Sequence, residues 1–161
     1  MARSLEFSNL LRFRPTWTEP LDLVDVVDSS DLSYRQTLTT GTGSQEADAY
    51  YRDVITLAAS ATTTLDLSDL TLQFYGGTGS LTIYAVKVLL IRMASGGGAN
   101  VSLGTSVTGA VRSSDILYAT NLGGGWVESS LTLQNAFGAS CDVEVHILGT
   151  TAPDSPGGSF G

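Results

Sequence analysis

The sequence predicts an all-β protein: an antiparallel β-sandwich, jelly-roll-like, with an extended N-terminal arm. Three observations carry this. Short runs rich in β-branched and aromatic residues recur, with turn signals about every 8–15 residues, giving about eight strands. A helical apolar period is almost absent, and nothing after residue 52 offers the roughly ten or more helical residues that a parallel crossover needs. Finally, Leu81–Met93 (LTIYAVKVLLIRM) is apolar on both parities. Leu81, Ile83, Ala85, Leu89, Ile91 and Met93 share one side, and Tyr84, Val86, Val88 and Leu90 the other, as in a mid-sheet strand covered on both faces. A buried helix is the competing reading of that run. Its Ile, Val and Tyr content and the flanking glycines at Gly76-Gly77 and Gly96–Gly98 favour a strand.

Length and charge bound the rest. At 161 residues the chain is one domain with room for one core. Hydrophobic residues make up 42% and charged residues 15%, so Ser, Thr and Gly supply much of the polar surface. A net charge of −8 argues against a nucleic-acid partner. Leu81–Met93 falls short of the ~18 apolar residues of a membrane span, and Lys87 and Arg92 interrupt it, so no membrane contact is expected. The single cysteine, Cys141, permits no internal disulfide. The opening MARSLEFSNLLRFRP lacks the apolar stretch of a secretion signal, and folding in a reducing cytoplasm is expected.

In chain order, residues 1–17 read as an irregular arm, apolar at Leu5, Phe7, Leu10, Leu11 and Phe13 and basic at Arg3, Arg12 and Arg14. Pro15 and Pro20 keep the backbone around Trp17 extended. Such an arm either folds back on its own domain or lies in a groove of a neighbouring subunit. Leu21–Val27 reads as a strand, with a short helix as the alternative. Tyr34–Thr40 is a strand ending at Gly41-Thr42-Gly43, and the spacing of Thr42 and Gln45 allows one helical turn. Runs at Asp53–Ser60, Ala61–Leu67 and Leu70–Phe74 lead to the central strand, and shorter ones at Asn100–Leu103 and Asp115–Ala119 follow it. Leu131 and Leu133 alternate with Thr132 and Gln134. The last strand alternates cleanly, Cys141, Val143, Val145 and Ile147 against Asp142, Glu144 and His146, and ends at Gly149. Residues 18–150 form the sandwich domain, and 151–161 a Gly/Pro/Ser tail.

No catalytic pattern emerges. The one histidine, His146, and Cys141 fall on opposite faces of the same strand, which disfavours a Cys–His dyad. One His and one Cys cannot supply a usual transition-metal set. Asp22, Asp25, Asp28 and Asp31 lack the alternate-position acids and central glycine of a calcium loop and read as a solvated acidic face. The glycine clusters lack the following Lys-Ser/Thr of a phosphate loop and read as turns. Trp126, after Gly123–Gly125, is the best candidate for stacking on a sugar, although a sandwich tryptophan is more commonly core. No cofactor is expected.

The run from Tyr34 to Leu67, YRQTLTTGTGSQEADAYYRDVITLAASATTTLDL, then LTIYAVKVLLIRM, LGTS at Leu103–Ser106 and the closing VEVHILGT together resemble the small β-sandwich structural proteins of tailed bacteriophages. Those proteins decorate heads or form fibre subunits. The resemblance spans roughly residues 17–150. It implies a virion component made in the host cytoplasm, oligomeric and often trimeric, without an active site. A non-enzymatic capsid decoration (cement) protein on the outer shell follows as the first expectation, with the major capsid protein or another virion structural protein as partner. Phe7, Arg12, Phe13, Arg14 and Trp17 are the expected anchors of the arm. A fibre or receptor-binding module recognising host glycans through Trp126 is the alternative. A polysaccharide hydrolase would need converging acids that nothing in the sequence singles out.

Overall fold

The computed structural model describes residues 5–13, 16–20, 25–29, 31–74, 77–113 and 115–153, with the side chains of 11–13, 16–20, 25–29, 32, 73, 74, 77 and 78 outside the description. The described residues form strands and no helix. The N-terminal strands are β1 (Phe7–Phe13), β2 (Thr16–Pro20), β3 (Asp25–Ser29), β4 (Leu32–Thr40) and the short β5 (Glu46–Ala47). The body follows with β6 (Ala49–Leu57), β7 (Thr62–Asp66), β8 (Leu70–Phe74), β9 (Gly77–Leu81), β10 (Ala85–Ser95), β11 (Gly98–Leu103), β12 (Val107–Arg112), β13 (Ile116–Thr120), β14 (Ser130–Gln134) and β15 (Cys141–Thr150).

Leaving aside the β8–β9 hairpin, the eight body strands make one antiparallel ribbon. First pairs with eighth (β6 with β15), second with seventh (β7 with β14), third with sixth (β10 with β13) and fourth with fifth (β11 with β12). The ribbon is rolled so that β10 lies beside β15 and β11 beside β14. The result is two four-stranded sheets, β13-β10-β15-β6 and β12-β11-β14-β7. This is the jelly roll expected from the sequence. Between the sheets Leu57, Leu89, Ile91, Leu103, Leu131 and Ile147 are fully buried. Strand alternation builds that layer: in β15 Cys141, Val143, Val145 and Ile147 turn inward, as read from the sequence.

The central run departs from its prediction in two ways. It is not one strand: Leu81 ends β9, residues 82–84 cross over, and β10 begins at Ala85. Ile83 is turned into the core there, its N–H bonded to the Leu67 carbonyl at 2.7 Å. Its parity also breaks. Pairing with β15 jumps from Val86↔Gly149 to Val88↔Leu148, leaving Lys87 as an extra residue. Val86 therefore joins Leu89 and Ile91 between the sheets, whereas Val88 faces outward with Leu148. Lys87 is fully buried, and its ammonium donates to the Gly123 carbonyl.

Outward-facing Val88 and Leu148 are covered by a third layer. β1 pairs antiparallel with β4, and β5 adds in parallel at Thr39–Thr40. Leu38 and Ala47 are fully buried on this outer face, with Leu5 and Phe7 packed beside them. The arm is thus not irregular. Its Phe7–Phe13 segment satisfies its backbone by pairing with β4, and its start folds back onto its own domain.

Smaller corrections have local causes. The turn after Gly41 holds no helical turn; the Glu46 carboxylate, not Gln45, reaches back to accept from the Gly43 N–H at 2.9 Å. β12 went unread because Gly109 and Ala110 carry little strand signal. A Cβ at Gly109 would lie 2.6 Å from a Leu117 methyl, so glycine lets β13 pack close without that side chain having to shift. β15 runs one residue past Gly149, to Thr150. Of the proposed Leu21–Val27 strand, only Asp25–Val27 is described, within β3. The acidic Asp22 and the tail from residue 154 lie outside the described residues, as do the side chains of Asp25 and Asp28.

Asn135 closes the loops at one end of the roll. It is buried, its Nδ2 lying 2.8–3.3 Å from the carbonyls of Leu57, Ala58 and Ala139, while Oδ1 accepts from the Phe137 N–H at 2.9 Å. Asn135→Ala removes all of these bonds and strands the Leu57 carbonyl, the one whose bond to Asn135 is buried. A loss of about 2–4 kcal/mol is expected in urea unfolding, against less than about 0.5 kcal/mol for the exposed Gln134→Ala.

Candidate functional site

The outer face of the β13-β10-β15-β6 sheet concentrates the polar chemistry of the body. Register places Arg52, His146, Leu90 and Tyr118 in one row across the four strands, and Val54, Glu144, Arg92 and Ile116 in the next. Glu144, on the inner strand β15, is only 3% exposed. Arg52 of β6 reaches its Oε1 from Nη2 at 2.7 Å and from Nε at 3.1 Å. Arg92 of β10 donates to Oε2. His146 Nε2 lies 3.1 Å from Oε1, and its Nδ1 is 2.8 Å from the Tyr50 hydroxyl. The Tyr50 and His146 rings also stack, with centroids 6.1 Å apart. The next acid along β15, Asp142, repeats the scheme with the hydroxyls of Thr56 and Ser95, each at 2.7 Å.

Hydrogen bonds from Arg92 and then Arg52 hold the Glu144 carboxyl down at about 2, against the cost of its burial. Burial raises the Tyr50 phenol above its ordinary range. A tyrosine–histidine–glutamate string could pass a proton only if its ends were poised near neutrality. Here the carboxylate is saturated with donors and the phenol stays protonated. The chemistry suits a clamp: an acid in the middle strand ties both neighbours together across the sheet.

Above the clamp, under the N-terminal segment, lies a cavity of about 240 Å³. Leu5, Phe7, Val88, Leu90 and Leu148 supply its apolar wall, and Tyr50, Tyr118 and His146 its rim. The Tyr118 hydroxyl donates to Gln36 Oε1 at 2.9 Å, which pins β4 to this face.

The expected anchors divide. Phe7 is half-buried on the chain's own body and walls the cavity. The backbones of Arg12 and Phe13 lie in β1 and that of Trp17 in β2, while their side chains, and all of Arg14, lie outside the described residues. Trp126 is half-buried and packs against the inter-sheet core. Its backbone bridges Val86 through two 2.9 Å hydrogen bonds. Cys141 and His146 face opposite sides of the sheet, as the alternation predicts. Glu144 and its two arginines went unrecognised. Alternation placed Glu144 on the polar face, but only the register across three strands reveals what meets it.

Two outcomes test this site. Because the Glu144 pKa is lowered, its ionised form stabilises the fold fully above about pH 4.5, and the contribution is lost as pH falls toward about 2. Glu144→Gln should therefore lower the Tm at pH 7, with the gap to wild type closing across that window in thermal melts. Phe7→Ala should cost about 1–2 kcal/mol and speed amide exchange in β1 and β4, leaving β11 and β14 unchanged. No protein-family model matches the chain, and no curated protein matches it in sequence.

Proposed function

We propose that this chain is a non-enzymatic structural protein of a tailed-phage virion, a capsid decoration protein that adheres to the outer shell. One observation carries the adhesive part of the reading. The β1–β4 ribbon is buried at Leu38, yet Leu10 and Tyr34 farther along it are 54% and 58% exposed. A ribbon seated at one end and carrying an exposed apolar side chain on each face at the other has the form of an attachment element. The sequence resemblance carries the virion part. Arg12, Phe13, Arg14 and Trp17 are the contacts proposed for the shell, whereas Phe7 serves the ribbon's own seat.

Mass spectrometry of purified particles from the source phage is expected to find this chain in stoichiometric amounts, and stripped shells are expected to rebind it. Its absence from the particles sinks the reading. Leu10→Asp should weaken rebinding while altering stability by less than about 0.5 kcal/mol, since the side chain is largely in solvent.

A further inference from the structure

We propose that the cleft beside β4 is a strand-addition site, filled by the acidic β3 strand of a second copy of this chain. β5 covers only the end of the β4 edge. The Thr39 N–H bonds to the Gln45 carbonyl and the Gly41 N–H to that of Ala47, both at 3.2 Å. In an extended strand the N–H and C=O of alternate residues point to the same edge. Arg35 and Thr37 therefore direct their backbone groups to the β5 side, where β5 no longer reaches.

That stretch of edge opens into a cleft of about 520 Å³. Its walls include Tyr34, Arg35 and Thr37 of β4, Ser44 and Gln45 of the turn, and Asn121 after β13. The far wall is braced: the Gln45 N–H bonds to the Leu122 carbonyl at 2.7 Å, and that of Asn121 to the Lys87 carbonyl at 2.9 Å. Gln45 holds a left-handed backbone, φ 58°, a cost that its bracing sustains. The edge carries no proline and no bulge, the usual guards against pairing with another chain.

Charge selects the occupant. The lining contains Arg35 and no carboxylate, in a chain with sixteen acidic and eight basic residues. β3 supplies the complement, with Asp25 and Asp28 in a five-residue strand. It pairs with β2 along one edge, and the β2–β3 hairpin joins no other sheet among the described residues. Donor strand and acceptor edge are different surfaces, so the contact is heterologous. It builds a closed ring or a filament, according to the rotation between copies.

The full chain is titrated with a synthetic peptide of residues 21–31 and followed by amide hydrogen exchange, and its mass is measured by light scattering across a concentration series. Expected are slowed exchange at Arg35 and Thr37 and concentration-dependent assembly. Arg35→Glu should weaken peptide binding about tenfold, and a peptide carrying Asp25→Arg and Asp28→Arg should restore it. Thr37→Pro removes an N–H that faces away from β1, so the fold is kept, by circular dichroism, while binding falls. Unchanged exchange at both amides overturns the proposal, as does assembly indifferent to both variants. Shell rebinding is a separate readout, so either proposal can fail without the other.

Discussion

Strand β10 has almost no solvent face over its first half, and the rest of the molecule is arranged around that constraint. Val86, Leu89 and Ile91 need the second sheet; Val88 needs a cover on the opposite side. A regular strand would commit each parity to one layer. The extra residue at Lys87 shifts that commitment, so neighbouring valines serve different layers. The lysine at the shift buries its aliphatic stem and directs its charge to the Gly123 carbonyl. The third layer is thus a requirement of the body, and the ribbon that supplies it gains a fixed seat.

That seat separates two roles within the N-terminal segment. Leu5 and Phe7 are held by the roll, and Gln36 is pinned by Tyr118 and Thr120. Leu10 and Tyr34 are free to meet something else. On the neighbouring part of the same sheet face, where the ribbon gives no cover, the Arg52–Glu144–Arg92 clamp replaces apolar burial. Both arginines remain more than half exposed, so they stay hydrated while satisfying the acid between them. One sheet face is therefore apolar where covered and ionic where open.

The roll was legible because its signals are local. β14 and β15 alternate strictly, and both kept their predicted faces. The double-sided character of the central run was legible too. What escaped were features set by residues distant in sequence. The bulge at Lys87 exists only relative to Gly149 and Leu148, the clamp only relative to the register of β6 and β10, and β1 only relative to β4. β12, with its glycine at a close approach, gave no periodic signal of its own. For the same reason the arm looked irregular: its arginines and prolines mask a strand whose order comes from its partner.

Because the first body strand is paired with the last, the ladder that completes the roll joins segments far apart in the chain. β15 lies between β6 and β10 and hydrogen-bonds to both. A nascent polypeptide must therefore carry β6 without its β15 partner, and β10 paired on its β13 side alone, until Cys141–Thr150 has cleared the ribosome. Closure of the sheet waits on β15, and the edges that β6 and β10 turn toward it stay open until that strand arrives.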